Sequence, residues 1–420
     1  MHLFIACSTF ALAVTLAVSR PRLASGLQVT PASAAFAGVV CLMAAGTVQV
    51  SDLASALDTL WRPLLTIVAI MITTAAARRL GVIDRIARRI IMREAASPAT
   101  LFGGVFAFSL VAASVLSNDA AILLVTPLVL AFVQRRFPEA PELCVPFAFA
   151  VFMAAGVAPF VTSNPMNMVV ASYVGLNFNQ YAINMLPISL VGSALTFLVL
   201  RGVFARELAA PIRDEAPPAA ASALTGAERR MLTLLVAVTA TYPVVAAFEG
   251  GAIWAVAAGG ALLALWLVWR EGKGSPAGVL RRDVSWDVLV FLPCVFVLAT
   301  GLRNVGLVDL VASWYHGASV ATIGVTAALG SAVLNNHPMA LVNMLALDTR
   351  PDIAQGDVLA ALIGGDLGPR LLPTGSLAGL LWLEACRRQG VHISASRFVR
   401  IGVVLTVPAL ALSLAWVAFL

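Results

Sequence analysis

The chain has 420 residues, of which 60% are hydrophobic and 11% charged, with a mean hydropathy of +0.94. Soluble domains carry about 25% charged residues, so a water-soluble globular enzyme is excluded and an all-α polytopic membrane protein is expected. The net charge of +6 does not indicate a nucleic-acid partner, because the basic residues, nearly all arginines, are scattered over the junctions between apolar runs, where they set topology.

Apolar runs near the ~20 residues needed to span a bilayer fall at 3–19, 27–48, 62–77, 99–116, 120–133, 144–161, 181–200, 231–248, 252–269, 286–300, 318–334, 355–372 and 398–420. The first has neither a positive leader nor a small-residue cleavage site and reads as a retained helix. After the third, the stretch 78–93 places Leu80, Ile83, Ile86 and Ile90 on one face and arginines on the other. That pattern suits a helix lying along the membrane interface.

Residues 58–87 recur without a gap at 283–312, pairing Asp58 with Asp283, Trp61 with Trp286, Leu64 with Leu289, Arg78 with Arg303, Gly81 with Gly306, Asp84 with Asp309 and Ala87 with Ala312. The chain is therefore a duplicated unit. Junctions at 20–26, 78–98, 134–143, 201–230, 270–285 and 387–400 are rich in arginine, whereas those at 49–60, 176–180 and 248–252 have no basic residue. All the basic junctions share one side if the N-terminus is outside, 99–133 is a hairpin entering from the cytoplasm, and 318–347 is a matching hairpin from the other face. Each half then has five crossings and a re-entrant hairpin, which inverts the second half relative to the first.

The expected organisation is a first repeat at 1–205, a flexible Pro/Ala-rich linker at 206–228 and a second repeat at 229–420. Within the first, 1–77 form scaffold helices, 78–93 the interfacial helix, and 99–205 the hairpin and transport helices; the second divides into 229–300, 301–317 and 318–420.

Four polar breaks interrupt the apolar runs. At the first, Ser117 and Asn118 would cap a returning helix at a hairpin tip, and with Asn335 and Asn336 of the opposite tip they are candidate substrate contacts. An ionised Asp at mid-membrane costs roughly 2.5–3.5 kcal/mol and should face protein or a water-filled cavity. Asp119 is thus a proton-coupling candidate, the alternative being a capped turn. At the second, Pro165 pushes Asn164 out of helical geometry, and Thr162, Ser163, Asn164 and Asn167 offer neutral donors and acceptors to a substrate or to unwound backbone; a proline kink is the alternative.

The third break, Asn335-Asn336-His337-Pro338, is the second-half counterpart of the first. His337 stands where Asp119 stands and can share a proton near neutral pH, or be a hydrogen-bonded tip residue. The fourth, 364–376, has two prolines, four glycines and the pair Asp366 and Arg370, so no continuous helix is expected there. Thr374, Gly375 and Ser376 are candidate substrate contacts. Asp366 and Arg370 either pair with each other at i,i+4 or share in proton coupling. The five cysteines (Cys7, Cys41, Cys144, Cys294, Cys386) form no C-x-x-C and lie in none of the breaks, so neither a metal site nor a cofactor is expected.

The stretches SNDAAILLVTPLVLA (117–131), TSNPMNMVVASYVGLNF (162–178), GLRNVGL (301–307) and IGGDLGPRLLPTGSLAGLLWL (363–383) resemble those of the arsenite/antimonite efflux permeases, the arsenical pump membrane proteins of the ion transporter superfamily. The similarity runs over nearly the whole chain. It implies two inverted repeats in a bacterial inner membrane, both termini periplasmic by the charge pattern. It also implies export of neutral trivalent arsenic or antimony hydroxides in exchange for protons, in some members with a soluble ATPase partner. Where family members often carry a carboxylate before the second break, this chain has Met153-Ala154-Ala155-Gly156, leaving proton coupling to Asp119 and Asp366. The alternative is a sodium- or proton-coupled carrier of inorganic or carboxylate anions. H-E-x-x-H and G-x-S-x-G motifs are absent, so a membrane-embedded enzyme is not expected.

Overall fold

The structure is a computed structural model describing residues 1–22, 28–92, 97–209, 223–248, 251–349 and 353–419. Arg93, the end of the expected interfacial helix, and 210–222, most of the expected linker, lie outside the described residues.

The first half contains α1 (His2–Ser19), α2 (Pro31–Ala44), α3 (Val50–Arg79), α4 (Val82–Ile91), α5 (Pro98–Leu116), α6 (Asn118–Arg136), α7 (Cys144–Ala154), α8 (Pro165–Tyr173), α9 (Phe178–Val203) and α10 (Ala205–Ala209). The second contains α11 (Gly226–Ala246), α12 (Ile253–Arg270), α13 (Pro276–Arg282), α14 (Trp286–Asn304), α15 (Leu307–Tyr315), α16 (Val320–Leu334), α17 (Asn336–Asp348), α18 (Gln355–Leu367), α19 (Leu377–Arg388) and α20 (Ala395–Ala418). Eight of these are long and apolar enough to cross a membrane. The expected all-helical polytopic class is borne out.

The two copies of the duplicated stretch fold alike. In the first, α3 ends at Leu80, and Gly81 at φ 82° turns the chain into α4; in the second, α14 leads through Gly306 at φ 81° into α15. A left-handed backbone admits glycine without the cost a Cβ brings, which accounts for a glycine in both copies. Each copy is followed by a helical hairpin (α5–α6, α16–α17), an interrupted helix (α7–α8, α18–α19) and a long helix (α9, α20).

Several boundaries differ from expectation. The junction 49–60 is helical: α3 starts at Val50, where the Asp52 carboxylate accepts the Gln49 N–H at 2.8 Å. Its polar residues satisfy a helix start, so they lengthen the span instead of ending it. The expected helix at 78–93 is divided by Gly81, and Arg78 and Arg79 belong to the end of α3, which Leu80 caps.

The two halves interlock. Helix α3 packs on α12 and α14, and α2 on α14; α6 packs on α19, α8 on α17, and α9 on α20. An aromatic cluster ties the two interrupted helices together: Trp382 of α19 lies 4.7 Å from Phe152 and 5.2 Å from Phe149 of α7, and Phe398 of α20 is 5.5 Å from Phe152 (ring centroids). Such pairs add about 0.5–1.5 kcal/mol each beyond their burial. Gly364 and Gly368, one turn apart, lie against the backbone carbonyls of Gly324 and Ala328 on α16, where a Cβ would collide with main chain. Close small-residue contacts of this kind hold helices together in lipid, where water offers no hydrophobic driving force.

Candidate functional site

Both hairpin tips are built the same way. Between α5 and α6, Ser117 takes φ 123° and ψ 150°; between α16 and α17, Asn335 takes φ 77° and ψ 148°. With Arg20, they are the non-glycine residues at positive φ among those described. This backbone region is sparsely populated and costs of order 1–3 kcal/mol, a form of strain that concentrates at functional sites. Side-chain caps stabilise the returns: the Ser117 Oγ accepts the Ala120 N–H at 3.3 Å, and the Asn335 Oδ1 accepts the His337 N–H at 3.4 Å. Asp119 and His337 are each the second residue of the returning helix.

The interrupted helices restart similarly. Helix α8 begins at Pro165 under a cap from Asn164, whose Oδ1 accepts the Met166 N–H at 3.1 Å; α19 begins at Leu377 under Ser376, whose Oγ accepts the Gly379 N–H at 2.9 Å. A cavity of about 410 Å³ has Asp119 and Ala120, Pro165, His337, and Leu377 and Ala378 in its wall. The N-terminal ends of α6, α8, α17 and α19 thus converge on one space. Each such end carries partial positive charge and free N–H groups. Asp119 stands among them, partly exposed to the cavity, and accepts no hydrogen bond from a described residue. The rest of the wall includes Arg20, Arg78, Arg282, Asp283 and Asp287.

Asp366 is placed differently. Its carboxylate is buried and accepts three hydrogen bonds: from the Ala158 N–H at 2.9 Å, the Asn164 Nδ2 at 2.7 Å and the Asn167 Nδ2 at 2.9 Å. Asn167 also donates to the Tyr181 hydroxyl at 2.7 Å, which in turn donates to the Ala158 carbonyl at 3.0 Å. Asp366 therefore staples the second interrupted helix to the unwound backbone of the first. The i,i+4 pairing with Arg370, one of the two alternatives for these residues, does not form. Helix α18 gives way to a 3-10 turn at Gly368–Arg370, which takes Arg370 out of α-helical register. Its Nη2 donates instead to the Met153 carbonyl at 2.5 Å, at the last turn of α7. Gly156 gives it room: a Cβ there would meet the Arg370 Nη2 at 2.7 Å, so that the guanidinium would have to shift. The fourth break is also shorter than expected, with Gly364, Gly365 and Asp366 still helical.

Of the candidate residues, Ser117, Asp119 and His337 reach the cavity wall. Asn118 donates to the Gly156 carbonyl at 3.5 Å, Ser163 to the Ser114 carbonyl at 2.8 Å, and the Asn336 Oδ1 lies 2.7 Å from the His337 Nδ1. Asn164, Asn167, Asn335 and Ser376 serve as caps and staples, Thr162 and Gly375 are buried outside the cavity wall, and Thr374 is exposed. Sequence reasoning missed the Thr74 hydroxyl, which donates to the Leu116 carbonyl at the hairpin tip at 3.3 Å, and Phe291, 6.0 Å from the His337 ring and edge-on to it. It also missed Asp283, held by Arg78 at 2.5 Å and Arg79 at 2.7 Å in the cavity wall. For Asp283 the signal was present, because it belongs to the duplicated stretch.

Two capped hairpin tips and two interrupted helices meeting around one cavity define a membrane transporter built on discontinuous helices. The family model described as "Arsenical pump membrane protein" matches residues 5–419, and the chain belongs to that family. It is 28% identical over 434 residues to the arsenical pump membrane protein of Escherichia coli, covering 99% of this chain and 98% of that one. It is 29% identical over 434 residues to that of Yersinia enterocolitica, with the same coverage. Among solved structures, the YdaH transporter of Alcanivorax borkumensis, reported to have an unusual topology, aligns with a TM-score of 0.60 over 100% of this chain and 98% of that one. At 14% identity that likeness is one of fold. The resemblance read from the polar breaks is borne out.

Proposed function

We propose that this chain exports neutral trivalent arsenic and antimony hydroxides across a bacterial inner membrane in exchange for protons, and so confers arsenical resistance. The observation that carries the reading is the convergence of four helix N-termini on a cavity whose wall holds Asp119, a carboxylate with no hydrogen-bond or ion-pair partner among the described residues. The N–H groups and caps offer donors to the oxygens of a metalloid hydroxide, and ionised Asp119 accepts a hydrogen bond from one of its hydroxyls, which keeps its proton. A proton arriving from outside occupies the same carboxylate, removes that acceptor and releases the substrate. Return of protonated Asp119 to the cytoplasmic side, followed by loss of its proton, resets the cycle. His337, at the equivalent place on the opposing tip, contributes a second proton-sharing group. Asp366 couples by a different route, because its protonation would loosen the three-donor staple between the interrupted helices.

In this reading the two halves are inverted across the membrane, both termini are periplasmic, and the arginine-bearing mouth of the cavity opens to the cytoplasm. The hairpins and interrupted helices move against a scaffold formed by the first helices of each half. A soluble ATPase joins the chain only where one is supplied with it. Arsenite uptake into everted vesicles is the test: accumulation that needs a proton gradient, and that is lost in Asp119→Asn, is the expected result.

One observation favours a second reading. Arg20, Arg78 and Arg282 in the cavity wall would attract an inorganic or carboxylate anion. Gradient-driven anion uptake with no metalloid accumulation would replace the first reading with this one.

A further inference from the structure

A second, larger cavity of about 970 Å³ lies between α4, α5, α9 and α11, on the other side of the first hairpin tip, and its wall reaches Leu116. Its volume is at the upper end of the roughly 300–1,000 Å³ typical of ligand pockets. Ile83, Ile86, Val111, Ile183, Leu235 and Val236 are among its lining residues, and the polar side chains in its wall are those of Asn179 and Thr239. Such a wall rejects hydrated solutes and accepts hydrocarbon. One end of the groove is basic. The salt bridge from Arg85 to Glu228, 3.0 Å, fixes the N-terminal end of α11 against α4. Arg229 precedes the groove residues Leu232 and Val236 by three and seven positions, and so shares their helix face. Arg89 follows the groove residue Ile86 by three positions, at the edge of the apolar face of α4. Both arginines are exposed and have no ion-pair partner among the described residues, whereas the acids beside them are taken, Glu228 by Arg85 and Glu271 by Arg230 at 2.5 Å.

We infer that this groove is a binding site for one anionic phospholipid, its acyl chains lying along α5, α9 and α11 and its phosphate held between Arg89 and Arg229. Arginine suits that end because its planar guanidinium binds phosphate bidentately while its stem lies along apolar surface. The charge at the mouth selects the occupant: a zwitterionic lipid would fill the groove equally well but leave both guanidinium groups without a net counter-charge. The site is independent of the transported species.

Native mass spectrometry of the full-length, partly delipidated chain, with phosphatidylglycerol or phosphatidylcholine of identical acyl chains added back, tests the proposal. One phosphatidylglycerol should be retained in preference to phosphatidylcholine by about tenfold, as expected for two arginines near an anionic head group. The double variant Arg89→Gln/Arg229→Gln should bind the two lipids alike. Ala107→Trp and, on the facing helix, Ala240→Phe should each displace both lipids while leaving thermal stability and monodispersity intact. Photoactivatable phosphatidylglycerol should label α5 and α11 in the unmodified chain, a readout that needs no variant to fold. Equal retention of the two lipids by the unmodified chain would overturn the proposal. So would labelling outside these helices, or a lipid-free homodimer covering the groove.

Discussion

Asp119 and Asp366 are both membrane-embedded carboxylates, yet their surroundings differ. Asp119 faces the cavity without a hydrogen-bond donor among the described residues, whereas Asp366 is held by three. Replacing Asp119 by Asn should therefore abolish gradient-driven arsenite accumulation in vesicles with little change in thermal stability. Asp366→Ala should lower stability by about 3 kcal/mol or more, because it leaves buried Asn164 and Asn167 donors unsatisfied; a thermal melt in detergent separates the two effects. At the tips, Asn335→Gly should be about 1–2 kcal/mol more stable than Asn335→Ala, since both lose the side-chain cap but only alanine keeps the positive-φ strain. Asp119 and His337 were legible in the sequence as polar residues in an apolar setting. The different roles of the two carboxylates were not, because burial alone says nothing of which donors will be in reach.

At the scale of elements, the two interrupted helices depend on each other. Arg370, from the second, bonds the last turn of α7, and Asp366 holds the unwound residues that follow. Prolines in the sequence marked both breaks, but their lengths were misjudged. Gly364 and Gly365 remain helical because they pack beside α16, where tertiary contact overrides glycine's poor helix propensity. Gly368→Ala should force α18 away from the Ala328 carbonyl, costing about 1–3 kcal/mol through overpacking. The loss should appear as a lower midpoint of thermal unfolding, and Gly259→Ala, which meets nothing, is the control.

For the whole molecule, the charge pattern predicts that both termini lie outside the cytoplasm. Alkaline phosphatase fused to either end should then be active, and a cytoplasmic reporter should be silent; the opposite pair of results would remove the proposed inversion of the halves. The Arg78–Asp283 and Arg79–Asp283 pairs close the two halves together beside the cavity. Asp283→Asn should weaken that closure and raise the labelling rate of a single cysteine placed at Ser117, read in a background without the native cysteines.

The membrane class, the duplication, the positions of the four breaks and the family were determined by the sequence itself. These depend on composition, on local backbone rules for proline and glycine, and on the cost of burying polar groups, all of which act along the chain. Only the tertiary structure decided that four helix starts from distant segments, at 118, 165, 336 and 377, meet around Asp119, and that Asp366 spends its hydrogen bonds on the opposite half. Convergence of that kind arises from packing between the halves, and no local periodicity encodes it.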